Sequence, residues 1–187
     1  MLRNPIKRYL SEWNHVKNGA QWIDKFNNRK CLYKNYLKCF KGQKTWNASL
    51  DDFMSCEYNL ANNRQTLLLS DSNYDCSNKT GEEMLEEAKR NLESLSFFGL
   101  TEYHDLNRKL FLKIFGGSFR FLKEFKTANQ TVADNFYKLL KTKGVDITEE
   151  NSDKILKKIQ QLNSLDIQLY EFAKDLFFKR LKFYNIL

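Results

Sequence analysis

Apolar residues recur along most of this chain at three- and four-residue intervals, the period of a helix that buries one face. In "LRNPIKRYLSEW", residues 2–13, Asn4 followed by Pro5 predicts an N-cap with proline at the first helical position, where a missing N–H costs nothing. From there Ile6, Tyr9, Leu10, Trp13 and Val16 form one stripe, and Gly19 supplies a stop. Ser49-Leu50-Asp51-Asp52 reads as a capping box, and Leu50, Phe53, Met54, Tyr58 and Ala61 carry a second stripe into "NLANNRQ". Thr80-Gly81-Glu82-Glu83 is another such box, followed by Met84, Leu85, Ala88, Leu92 and Leu95. "SFFGL", residues 96–100, is a short buried-strand candidate, after which Thr101 is placed to cap a helix bearing Leu106, Leu110 and Ile114. Thr148 and Asn163 begin the last two helices, the second with Leu165, Leu169, Phe172, Ala173 and Leu176. One strand among so many helices is too little sheet for an α/β domain, yet the opening turn reads as the edge of one, so the missing strands are expected upstream.

The polar side of the first helix carries candidate chemistry. Arg8, Ser11 and His15 share it, and Arg3 lies just before the helix, where a chain leaving a strand could fold its guanidinium back toward Ser11. A fork of donors beside a hydroxyl near a helix N-terminus suits a phosphate group. The competing reading makes Arg3 and Arg8 solvated charges and Ser11 a neutral helix residue.

Composition narrows the partner. With 187 residues, 42% of them hydrophobic and 14% aromatic, the chain can build one core, which excludes a disordered tail. A net charge of +8 favours a polyanionic partner: a sulfated glycan, an anionic lipid or nucleic acid. No apolar run reaches the length of a membrane span, and no signal peptide follows Met1. Cys31, Cys39, Cys56 and Cys76 cluster in one polar third without the histidines a zinc site would need, so no metal is expected. Of three possible disulfide pairings, Cys31–Cys39 and Cys56–Cys76 are favoured because each closes a local loop; four reduced thiols are the alternative. Sequons at Asn47, Asn78 and Asn129 also favour a secretory compartment and argue against a nucleic-acid partner. The pair Gly116-Gly117 follows a helical stripe rather than a strand, so it reads as a helix stop and not as a phosphate loop.

Four stretches together resemble one family: "LRNPIKRYLSEWNHVKNGAQW", "DDFMSCEYNLANNRQ", "FFGLTE" and "LNSLDIQLYEFAKDLF". In that order they are similar to the C-terminal half of the heparan sulfate 6-O-sulfotransferases. The resemblance implies transfer of a sulfuryl group from 3′-phosphoadenosine 5′-phosphosulfate to the 6-hydroxyl of glucosamine in heparan sulfate. It assigns Arg3 and Ser11 to the donor's 3′-phosphate, and it gives Arg8 either long-range attraction or a structural ion pair. It implies an α/β, P-loop-like sulfotransferase fold of which residues 1–187 are a partial, mostly helical domain. The glycine-rich loop for the 5′-phosphosulfate and the histidine base are then expected upstream, since neither His15 nor His104 matches the base. It further implies a Golgi-lumenal enzyme, membrane-anchored only in its full-length form. A non-catalytic basic module that binds heparan sulfate by charge is the alternative.

Overall fold

The computed structural model describes residues 1–18, 48–56, 59–70, 79–116, 140–145 and 149–187, and seven helices lie among them. Helix α1 spans Pro5–Lys17. The side chain of Asn4 accepts from the N–H groups of Ile6 and Lys7, and Pro5 occupies the first turn, so the start is the one its sequence predicts. Tyr9, Leu10, Trp13 and Val16 are buried, and Glu12 is buried beside them. Gly19, the predicted stop, lies outside the described residues.

The second stripe breaks into two short helices, α2 (Leu50–Ser55) and α3 (Arg64–Leu69), rather than forming one. The Ser49–Asp52 capping box forms, but the helix stops at Cys56. A buried side chain accounts for the turn that follows. Asn59 donates from Nδ2 to Phe53 O (2.6 Å) and accepts at Oδ1 from Ala61 N (2.9 Å), satisfying backbone groups that a continuous helix would have used itself. Asn63 then adopts a left-handed conformation (φ 47°), which asparagine tolerates better than most residues.

Helix α4 spans Gly81–Ser94 behind the predicted Thr80–Glu83 capping box and buries Leu85, Ala88 and Leu92. Its stripe ends there, for Leu95 is 42% exposed. "SFFGL" contributes a single parallel bridge: Leu2 N–H donates to Gly99 O and Thr101 N–H donates to Leu2 O, both at 2.8 Å. Helix α5 (His104–Phe115) begins two residues later than its predicted Thr101 cap allows. Thr101 is committed to the bridge, so Tyr103 is the N-cap residue and its side chain makes no capping bond. Gly116 ends α5 at φ 57°, the helix stop expected of it.

Helix α6 (Glu149–Leu162) is followed by α7 (Ser164–Phe183), with Asn163 at the predicted N-cap position. Two cores result. In one, α7 supplies Leu169, Tyr170, Ala173, Phe177 and Leu181 against Leu2, Leu100, Leu110 and the buried face of α4. In the other, α1 packs Tyr9, Leu10, Trp13 and Val16 against Phe53, Met54, Ala61, Leu140 and Ile159, with the Tyr9 and Phe53 rings edge to face at 5.1 Å. Every buried leucine or phenylalanine here withdraws apolar surface worth about 1.5–3 kcal/mol from water.

Among the described residues no helix is long and apolar enough to cross a membrane. Cys56 is disulfide-bonded. Cys31, Cys39 and Cys76, and with them both favoured pairings, lie outside the described residues, as do Asn47, Asn78, Asn129, Gly117 and Thr148.

Candidate functional site

The extended segment that feeds α1 is held from several directions by backbone hydrogen bonds. Leu2 pairs with the Gly99–Thr101 segment on one side. On the other side the Gln65 amide spans Arg3: Arg3 N–H donates to Gln65 Oε1 (2.8 Å), and Gln65 Nε2 donates to Arg3 O (2.9 Å). Asn107 treats Leu100 alike, accepting from its N–H at 3.0 Å and donating to its carbonyl at 2.6 Å. Two side-chain amides thus take, on the outer side of each bridge segment, backbone groups of the kind a neighbouring strand would pair. Gly99 permits this, because a Cβ there would come within 2.9 Å of Cγ and Oδ1 of Asn107.

One residue further on, Asn4 N–H donates to Glu102 Oε1 (2.9 Å), and the hydroxyl of Tyr170 donates to Glu102 Oε2 (2.8 Å). Burial, then the bond to Glu102, raises the pKa of Tyr170 and keeps it a donor.

With Leu2 in the core, strand alternation turns the side chain of Arg3 to the opposite face. Arg3 and Ser11 are both half-buried, on the approach to α1 and two turns into it. No hydrogen bond joins them, and neither side chain has a hydrogen-bond or ion-pair partner among the described residues. Lys7, on the same flank four residues before Ser11, has none either. His15 and His104 are exposed.

Arg8 is different. Its guanidinium pairs with Glu12 one turn on, donates to Ala61 O (2.6 Å) and Asn163 Oδ1 (2.7 Å), and lies 3.4 Å from the Asp166 carboxylate. Arg64 approaches Glu12 from the far side at 3.3 Å. Among the described residues Arg8, Arg64, Glu12 and Asp166 therefore meet between the two cores, and Arg8 sits in ion pairs there. Glu12 feels burial more than its two arginines, so its carboxyl is pushed up to about 7. Between the ordinary value of 4.5 and about 7 the folded chain keeps a proton that the unfolded chain releases. Stability from this group is thus complete below 4.5 and lost as pH rises through about 7, by at most about 1.4 kcal/mol per unit. The Glu12→Gln variant should lose that slope. Thermal midpoints of both proteins between pH 5 and 8 measure it, and parallel curves would show that Glu12 does not titrate there.

The same region joins two helix starts reciprocally. Asp166, fully buried on α7, accepts from Gln65 N (3.1 Å), Thr66 N (2.7 Å) and Thr66 Oγ1 (2.8 Å), capping α3. Asn63, just before α3, accepts at Oδ1 from Leu165 N (3.0 Å) and Asp166 N (3.3 Å), capping α7. The residue predicted for that cap, Asn163, instead turns its Oδ1 to Arg8 and Asn63 N. Sequence reasoning missed Gln65, Glu102 and Asp166 as determinants of this site; the trace it had was a run of polar residues, "NNRQ", inside an otherwise apolar stretch.

Comparison with known proteins shows the family. The model of the sulfotransferase family matches residues 1–173. Heparan-sulfate 6-O-sulfotransferase 1 of Homo sapiens is 37% identical over 98% of this chain and 44% of its own length. Heparan-sulfate 6-O-sulfotransferase 3-B of Danio rerio is 39% identical over 98% of the chain and 43% of its own. Heparan-sulfate 6-O-sulfotransferase 3 of Mus musculus is 40% identical over 96% and 37%. The chain thus spans less than half the length of these curated relatives. With a match over nearly all of its residues, beginning at the segment that presents Arg3, the chain belongs to the sulfotransferase family.

Proposed function

We propose that this chain is the 3′-phosphate-binding part of a heparan sulfate 6-O-sulfotransferase. The observation that carries the reading is the contrast between Arg3 and Arg8. Arg8 is consumed by protein partners, whereas Arg3 has a fixed backbone and no side-chain partner among the described residues. A guanidinium left over in a site built around it suits an anionic ligand, and Ser11 offers a hydroxyl on the same approach. The donor would be 3′-phosphoadenosine 5′-phosphosulfate, which supplies the sulfuryl group; Arg3 and Ser11 would bind and orient its 3′-phosphate. The loop for the 5′-phosphosulfate and the base for the acceptor hydroxyl belong, on this reading, to residues outside these 187. A net charge of +8 is compatible with a sulfated, carboxylated glycan as acceptor. The same reading places the enzyme in the Golgi lumen, membrane-anchored in its full-length form, with disulfides Cys31–Cys39 and Cys56–Cys76 and glycans at Asn47, Asn78 and Asn129.

The test is product analysis. The full-length protein, given labelled donor and desulfated heparan sulfate, should place label on the 6-hydroxyl of glucosamine, as read by disaccharide mapping after lyase digestion. Label at another position would sink the acceptor assignment. Tight binding to heparan sulfate with no transfer would favour the non-catalytic basic module.

A further inference from the structure

We infer that Gln65 is the positioning residue for Arg3, fixing the backbone from which its guanidinium reaches an anionic ligand; this rests on the 3′-phosphate reading above. Arg3 is the last extended residue before the N-cap of α1, and its two backbone groups point away from the Leu2–Leu100 bridge. Gln65 takes both of them, at 2.8 and 2.9 Å. Nothing about that pairing is adjustable from the Gln65 side. The residue is only 8% exposed, and its own N–H is held by Asp166 at 3.1 Å, so the amide is fixed at its root as well as its tip. With Asn4 N–H held by Glu102, the peptide units on both sides of the Arg3 Cα are fixed, while its side chain keeps its donors for a ligand.

Such an arrangement lowers the ordering cost of binding, because the ligand need not fix the backbone of the residue that grips it. It also explains the residue type. A primary amide on a two-carbon stem offers one acceptor and one donor side by side, which is what an extended residue presents in complement. Glutamate would set a second acceptor against Arg3 O, methionine keeps the length but neither bond, and asparagine is one carbon short.

Calorimetric titration of the full-length protein with adenosine 3′,5′-bisphosphate and with adenosine 5′-phosphate reads the effect as a preference for the first ligand. Gln65→Met should reduce that preference about fivefold, with the affinity for adenosine 5′-phosphate unchanged, and Gln65→Glu should reduce it further. The KM for the sulfate donor should rise in the same proportion while kcat holds within about twofold. Gln65→Asn, which keeps a polar amide in the buried site, serves if Gln65→Met does not fold, and it should show the same loss. A lowered thermal midpoint with an unchanged preference would make Gln65 merely structural and overturn the inference. Arg3→Ala separates the two levels: if it abolishes the preference while the Gln65 variants keep it, only the positioning role fails. If Arg3→Ala also keeps it, the phosphate reading fails and the inference falls with it.

Discussion

Replacing Arg3 by alanine in the full-length protein should, on the proposed 3′-phosphate reading, weaken binding of the sulfate donor and of the 3′,5′-bisphosphate product by about ten- to a hundredfold. The estimate comes from a charge-assisted contact to phosphate, worth about 1.5–3 kcal/mol. The fold should survive the change, because Arg3 is tied to the protein through its backbone and its side chain has no partner among the described residues. Ser11→Ala removes a neutral hydroxyl and should cost about two- to tenfold. Because the arginine is half-buried, part of its contribution should fade as ionic strength rises, whereas the serine contribution should not. Removing the 3′-phosphate from the ligand should erase most of the difference between wild type and Arg3→Ala. Equal penalties on ligands with and without that phosphate would falsify the clamp, and a lower thermal midpoint with unchanged discrimination would assign Arg3 to the fold instead.

The contrast between Arg3 and Arg8 also shows where reading a sequence runs out. What lies within one turn of itself was legible. Asn4-Pro5 starts α1, the Ser49 and Thr80 boxes start α2 and α4, and Gly116 ends α5, since caps and stops are settled by neighbours three or four residues away. The apolar stripes were legible for the same reason. Arg8 looked like a polar-face residue, as its spacing from the buried stripe suggests, yet Asn163 is 155 residues further along and Ala61 is 53. No local pattern reports a partner at that distance. The break between α2 and α3 escaped for a related reason: the apolar spacing continues through it, and what interrupts the helix is the buried amide of Asn59 and the left-handed Asn63. Asn163 marks the right position for the start of α7 but does not cap it, because Arg8 competes for its carbonyl oxygen and Asn63 is placed to serve in its stead. The local pattern suggested a phosphate beside Arg3, and the resemblance named it as the donor's 3′-phosphate. Identifying what holds Arg3 in place needed the fold, with Gln65 62 residues away and Glu102, on Asn4, 98.

The long-range contacts of Arg8 and Gln65 meet at Asp166, and its loss should have the largest effect on stability. Asp166→Ala in the full-length protein should destabilise the fold by about 3–5 kcal/mol, a large share of the 5–15 kcal/mol that holds a typical domain together. Three donors lose their acceptor at once: Gln65 N–H, Thr66 N–H and the Thr66 hydroxyl, in a place where Asp166 itself has no exposed surface. The ion-pair network between the cores also loses a carboxylate, since Arg8 would keep Glu12 but not Asp166. Asp166→Asn keeps the shape and one acceptor but not the charge, and should fall between the two. Replacing Arg8 and Asp166 together by apolar residues of similar size should cost less than the two single changes added, because neither charge is then left unpaired. Chemical denaturation of the wild type and these variants measures this, and an Asp166→Ala variant within about 1 kcal/mol of wild type would show that the network does not hold the fold. A second readout ties the network to chemistry. Asp166 holds the N–H of the residue whose amide holds Arg3, so Asp166→Asn, if folded, should loosen Gln65 and lower the preference for the 3′-phosphorylated ligand, as Gln65→Met does. Stability lost with the preference intact would mean that α3 keeps Gln65 in place without its cap.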